Sequence, residues 1–304
     1  MVWTKPLKKY IIKSKSGSKI IIRIMNKRSL IYLNIAVLLF GLAGLFAKWI
    51  DLPSLGITFG RVFFSSISLG IFMLLTGQSF KVRDRRDLRL LICSGAVMAI
   101  HWWSIFESIQ LSTVAIGCIT FSTFPLFVTF IEPALNHERP KARNVVLALV
   151  ILAGVIITVP EFSFDNNTFK GVLVGMISPI AYTILTMMNK NFVTRYNSTF
   201  VCFYEQAVAT LFLLPFVLGL GVHPTLRDIG LLIVFGTLTT AFAHTLFISC
   251  LKDIPARLAG VCSSMETVYA IIFALILLGE VPTIREIIGA VVILGAVIYA
   301  QVKE

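Results

Sequence analysis

Apolar residues in this chain fall into long runs rather than the short amphipathic stretches of a water-soluble fold. Ten runs recur: Leu30–Ile50, Leu55–Thr76, Leu88–Ser108, Leu111–Glu132, Asn144–Pro160, Phe169–Asn189, Ser198–Gly219, Asp228–Cys250, Ala256–Leu278 and Ile284–Gln301. A bilayer's hydrocarbon layer is about 30 Å thick and a helix rises about 1.5 Å per residue, so about 20 apolar residues cross it. Lipid offers no partner for a backbone N–H or C=O, so each run is read as a helix. The pattern predicts an all-α membrane protein of ten transmembrane helices.

The polar positions show that this pattern runs twice. Asp87-Leu-Arg-Leu-Leu-Ile-Cys-Ser-Gly95 is echoed by Asp228-Ile-Gly-Leu-Leu-Ile-Val-Phe-Gly236, 141 residues later. Glu138-Arg-Pro140 with Arg143 is echoed by Glu280-Val-Pro282 with Arg285, 142 residues later. Leu, Ile and Val match by chance in any two apolar segments, so the Asp, Glu, Pro and Gly matches carry the argument. Five spans fall in residues 30–160 and five in 169–301, after a basic segment at 1–29. An odd span count makes the second copy enter from the opposite face, giving a 5+5 inverted-topology repeat. Two inverted copies can exchange conformations, which is the basis of alternating access around a site near the midplane. Receptors and membrane enzymes have no comparable need for this layout.

Composition agrees, with 57% hydrophobic and 14% charged residues, against roughly a quarter charged in soluble chains. The net charge of +12 would suggest nucleic acid if it were clustered on a soluble surface. Instead, 22 of the 27 Lys and Arg lie in the N-terminal segment, alternate loops and the tail, and only Lys170, Arg227 and Arg285 lie in the opposite loops. Cationic loops stay cytoplasmic, so the expectation is a multi-pass protein of the cell (inner) membrane with both termini cytoplasmic and no nucleic-acid partner. Residues 1–28 read as a targeting peptide or a lipid-surface stripe, with Met25 an alternative start. The five cysteines sit within predicted spans without metal-site spacing. Neither a phosphate loop nor a nucleophile–base arrangement is evident, so no cofactor is expected.

Ten spans in two halves, each closing with a Glu-x-Pro turn before a small-residue final helix, resemble the EamA branch of the drug/metabolite transporter superfamily. The stretches that carry the resemblance are Phe124-Pro125, Glu138-Arg-Pro140 and Ala153-Gly154, then Glu266-Thr267, Gly279-Glu280-Val-Pro282, Gly289 and Gly295. Two positions depart from the pattern: Thr267, where the second repeat usually has proline, and Asn136-His137, where Leu-Gly is usual. The resemblance implies carriage of amino acids, other metabolites or drugs, mostly outward. It also implies a cavity among spans one to four and six to nine, with five and ten supporting or forming a homodimer.

Ionisable groups within a bilayer are costly and mark candidate function. Glu266, near the middle of span nine, is a candidate partner for a substrate amine or a proton, which makes the proton a candidate coupling ion. Its repeat-mate is Phe124. Arg61 in span two is a candidate for a substrate carboxylate, or a partner for Glu107. Glu205 in span seven is a candidate for a cation or proton. His101, Trp102 and Trp103 offer a titratable ring and flat faces for an aromatic or cationic substrate, and His244 aligns with Trp103. Ser122 and Pro125 in span four, with Ser263 and Thr267 in span nine, combine hydroxyls with a proline-freed carbonyl. Each is equally readable as helix-packing glue. Tyr182, after Pro179, is a candidate gate. The expectation is a secondary or facilitative transporter rather than an enzyme, acting on small metabolites such as amino acids. A nucleotide-sugar or other organic-anion exchanger is the alternative, and a polytopic enzyme or sensor the reading from another class.

Overall fold

The computed structural model describes residues 9–13, 19–23, 27–135, 142–254 and 256–302. A helical segment stands at each of the ten predicted positions. Span one is Lys27–Gly41 and Ala43–Trp49, span two Ser54–Leu75, span three Arg85–Leu111, span four Val114–Phe121 and Phe124–Leu135, and span five Ala142–Thr158. Span six is Asn167–Gly175 and Ile177–Phe192, and span seven Ser198–Leu220. Span eight is Leu226–Val234, a π-helical Phe235–Phe242 and Ala243–Cys250; span nine is Ala256–Leu278 and span ten Ile284–Val302. Six of these segments are by themselves long and apolar enough to cross a membrane, including Arg28–Trp49 and Leu226–Cys250. In the basic N-terminal segment, Lys9–Lys13 pairs antiparallel with Lys19–Arg23.

Local chemistry explains the helix ends. Asp84, Thr113, Asn166, Asn197 and Thr225 each accept a hydrogen bond from the N–H three residues on, satisfying a donor that the helix leaves orphaned. Gly221 ends span seven in the left-handed region, at φ 59°. Span four breaks at Ser122 and Thr123, just before Pro125, whose ring displaces the preceding turn and which donates no hydrogen bond. Span nine, with Thr267 in place of the usual proline, runs unbroken.

The repeated aspartates hold equivalent corners. Asp228 forms a capping box with Thr225 and accepts from the Asp51 N–H, between spans one and two, at 3.2 Å. Asp87 binds Arg195 and accepts from the Tyr196 hydroxyl at 2.6 Å, between spans six and seven. The repeated glycines do the same for packing. A Cβ on Gly95 would lie 2.4 Å from Val208 and 3.1 Å from the Glu205 carbonyl, and one on Gly236 would lie 2.8 Å from the Arg61 carbonyl. Span three thus presses on span seven where Glu205 lies, and span eight on span two where Arg61 lies. Each half lends its third helix to the other half's second, and Arg61 and Glu205 occupy corresponding positions.

Spans five and ten pack on each other at Gly154 and Gly289, where an added Cβ would meet the facing glycine's carbonyl at 3.2 and 2.8 Å. With Ala115, Ile116 and Ile119 they form an apolar cluster separate from the main core. The second Glu-x-Pro turn works as an anchor. Gly279 takes φ 67°, and Glu280 accepts from the Val114 N–H at 3.0 Å, capping span four. Glu286 accepts from Thr283 N–H and from the Thr113 hydroxyl, both at 2.6 Å. The first copy of that turn, with Glu138, lies outside the described residues.

Candidate functional site

At the centre of the bundle a guanidinium is enclosed by rings. Arg61 is wholly buried, and its Cζ lies 3.5 Å from the ring centre of Trp102, 4.3 Å from Phe235 and 5.1 Å from Phe106. Nε and Nη2 both donate to Thr240 Oγ1, at 3.0 and 2.8 Å. That hydroxyl in turn donates to the Phe235 carbonyl at 3.0 Å, five residues back, a spacing that the π-helical turn provides. Nη1 has no hydrogen-bond partner, and neither has the indole Nε1 of Trp102. A buried cation normally acquires a hydrogen-bonded counter-charge. Here it has cation–π stacking on three rings and leaves two donors unused.

Glu266 is buried on span nine and interacts electrostatically with Arg61, yet the two form neither a hydrogen bond nor an ion pair. From Trp102 the rings continue through His101, at 4.5 Å, into an aromatic wall drawn from both halves. Tyr182 contacts His101 at 4.7 Å, Phe124 at 4.9 Å, Phe121 at 5.2 Å and Phe247 at 5.8 Å. His101 is fixed by Ser178, whose hydroxyl lies 2.8 Å from Nδ1. The arrangement offers unpaired cationic and indole donors, a nearby carboxyl group and flat apolar faces. Those features can hold a small organic molecule; among the described residues no group of three or more His, Cys, Asp or Glu is placed to hold a metal ion.

Comparison with known proteins identifies the group to which this architecture belongs. A model of the "EamA-like transporter family" matches residues 27–159 and again 169–300. The chain belongs to the EamA-like transporter family. It is 24% identical to an S-adenosylmethionine uptake transporter of Rickettsia bellii (strain RML369-C), covering 83% of this chain and 85% of that one. It is 27% identical to a pseudopaline exporter of Pseudomonas aeruginosa (strain UCBPP-PA14), covering 81% and 86%. A solved crystal structure shares the fold, with a TM-score of 0.67 at 18% identity over 91% of this chain and 98% of that one. This EamA-family chain is therefore a membrane transporter and not an enzyme.

The sequence candidates separate by where they stand in this bundle. Arg61, Trp102, His101 and Tyr182 come together at the centre, with Glu266 in electrostatic reach. Arg61 does not pair with Glu107, because Glu107 is nearer the end of span three, where it accepts from Ser54 Oγ. Trp103 is half-buried and takes no part in the ring cluster. Glu205 pairs with His244, Oε2 to Nε2 at 3.2 Å, both wholly buried. Ser122 and Thr267 hydrogen-bond to each other, and Thr267 donates to the Cys118 carbonyl at 2.9 Å. These hydroxyls therefore join spans four and nine, with Pro125 just past the break. Ser263 is buried on span nine with its Oγ unpaired. Sequence reasoning missed Thr240, Ser178, Phe106, Phe121, Phe235 and Phe247. For all but Phe235 the only signal was a position one turn from a named candidate, which is weak in a chain with 24 phenylalanines; Phe235 had none.

Proposed function

We propose that this transporter carries small zwitterionic metabolites of the amino-acid class by alternating access, with Arg61 and Trp102 holding the substrate carboxylate and Glu266 its amine. The single observation that carries the reading is the pair of buried, unpaired donors, Arg61 Nη1 and Trp102 Nε1. A carboxylate accepts from such a pair with charge-assisted bonds, and a molecule that also presents an amine meets Glu266. His101, Tyr182 and the phenylalanines sort side chains by shape, and His101 is held by Ser178 rather than facing the substrate as a base. The organic-anion exchanger is disfavoured, because Lys48, the other intramembrane cation, donates to the Ser112 carbonyl at 2.9 Å.

The alternating-access reading is supported by the exchange of roles between halves: spans two and seven rest on spans eight and three through Gly236 and Gly95. The cation-rich loops face the cytoplasm, as their bias requires. Export is the direction that the family pattern favours. Relatives named for uptake and for export both match, as expected of a reversible cycle whose direction the gradient sets.

The test is counterflow in proteoliposomes. Vesicles loaded with one unlabelled solute from a panel of amino acids, amines and carboxylates are diluted into the labelled form. Accumulation is expected for solutes with both charges and is expected to be lost in Arg61→Met. Flux of simple amines at the same rate as amino acids, or full flux in Arg61→Met, contradicts the assignment.

A further inference from the structure

A second polar cluster lies away from Arg61, in the other half, and the substrate reading does not use it. Glu205 and Gln206 on span seven, Asn189 on span six and Thr245 on span eight carry four buried oxygens without a hydrogen-bond partner, Glu205 Oε1, Gln206 Oε1, Asn189 Oδ1 and Thr245 Oγ1, beside one unpaired amide nitrogen, Gln206 Nε2. The residues adjoin one another. Asn189 neighbours Glu205, and Cys202, one turn before Gln206, neighbours both Gln206 and Thr245. On the far side Glu205 Oε2 is taken by His244 Nε2 at 3.2 Å. The buried threonines Thr183, Thr186 and Thr239 on spans six and eight bond back to their own helix, at Pro179, Tyr182 and Phe235. Thr245, just after the π-helical turn, does not.

Unpaired buried oxygens are costly, and four of them against the single Gln206 amide nitrogen call for an electropositive guest. A proton would occupy one lone pair and leave the others unmet. A divalent ion would leave an excess positive charge in an apolar bundle, since the cluster supplies one carboxylate. Hard oxygen donors with a single negative charge match a monovalent alkali ion. Broken or re-registered helices are where transporters place such ions, and span eight changes register directly before His244.

We propose that Asn189, Glu205, Gln206 and Thr245 form a binding site for Na+ in the second repeat, at the position corresponding to Arg61 in the first. The first half carries a covalent cation at this level and the second half recruits a soluble one. The site adjoins the aromatic wall: the His244 ring lies 6.3 Å from Phe40 and 6.4 Å from Phe247, which touches Tyr182. Its use as a coupling ion rests on the carrier reading above; its existence does not.

The experiment is binding of radiolabelled Na+ to the purified full-length protein in detergent, without organic solute. Ionic strength is held with N-methyl-D-glucamine chloride, and K+ serves as competitor. Saturable binding of about one ion per chain is expected. Affinity should fall by about tenfold or more in Glu205→Gln, and measurably in Thr245→Val, in the range that removing one partner from an ion site produces. Thr237→Val, whose hydroxyl bonds back to Ile233 at 2.7 Å, should bind as wild type. If Glu205→Gln is not monodisperse, Thr245→Val, which keeps side-chain shape, decides. Absence of saturable Na+ binding in wild type, or equal affinity in Thr245→Val, overturns the proposal. Absence of Na+ binding with intact counterflow leaves the carrier reading standing; Na+ binding without flux leaves the site standing.

Discussion

Replacing Arg61 with methionine separates a functional cation from a structural one. The side chain is wholly buried and donates through Nε and Nη2 to one acceptor, Thr240 Oγ1. Removing a charged hydrogen bond costs about 1.5–3 kcal/mol, and a desolvated cation–π stack is worth about 2 kcal/mol. Against this, burying an ion costs several kcal/mol, and replacing buried charges by apolar groups of similar volume is often neutral or stabilising by about 1–4 kcal/mol. Thr240 loses little, because its hydroxyl keeps the Phe235 carbonyl at 3.0 Å. The two sides nearly cancel, so the thermal midpoint of Arg61→Met in detergent should equal or exceed that of wild type. Transport should behave otherwise. A charge-assisted carboxylate contact is worth about 2–3 kcal/mol, or roughly 30- to 150-fold in substrate affinity at about 1.4 kcal/mol per tenfold. The assay pairs a melt followed by size-exclusion recovery with counterflow in proteoliposomes. A clear fall in midpoint would show that Arg61 is a packing element; unchanged half-saturation would show that it does not meet the substrate. Either result refutes the reasoning. Arg61→Lys keeps the charge but not the planar stack on Trp102, so it should recover only part of the flux.

Three further outcomes follow from other residues. Glu266→Gln keeps the shape of a carboxyl that has electrostatic contact with Arg61 but no ion pair, so it should fold normally and lose discrimination between amino acids and simple carboxylates in the same counterflow assay; unchanged discrimination would count against Glu266 as the amine partner. Gly289→Ala would place a Cβ 2.3 Å from Thr158 and 2.8 Å from the Gly154 carbonyl. Because backbone cannot yield as a flexible side chain can, it should lower stability by about 1–3 kcal/mol, with Gly295→Ala, which has open space, as the matched control. Burial pushes the Glu280 carboxyl, at the turn outside the spans, above its ordinary 4.5, opposed by the Val114 N–H and by Lys48. A raised folded value means that its contribution to stability is full below the ordinary value and is lost as pH rises through the folded one. Glu280→Gln should therefore gain on wild type in thermal melts as pH rises above about 4.5, the ordinary carboxyl value; a pH-independent difference would contradict this.

Much of the architecture is legible in the sequence because lipid removes alternatives. Each run of apolar residues has to be a helix, and the paired Asp87/Asp228 and Gly95/Gly236 mark corresponding corners through their spacing alone. The same regularity hides the site. Phe121, Phe235 and Phe247 differ from lipid-facing phenylalanines only in direction, and adjacent Trp102 and Trp103 differ by about 100° around one helix. Only Trp102 stacks on Arg61.

Sequence by itself determined that this chain is a doubled bundle of membrane helices, because span length and polar spacing depend on bilayer thickness and helix rise alone. Tertiary structure alone decided which charges meet. Arg61 faces Thr240 rather than Glu107 because the two halves interlock, and Glu205 faces His244 because spans seven and eight pack within the second half, bringing together partners separated by 179 and 39 residues. Hydrophobicity is a property of each segment, whereas a buried charge takes its meaning from the neighbours that the fold brings to it.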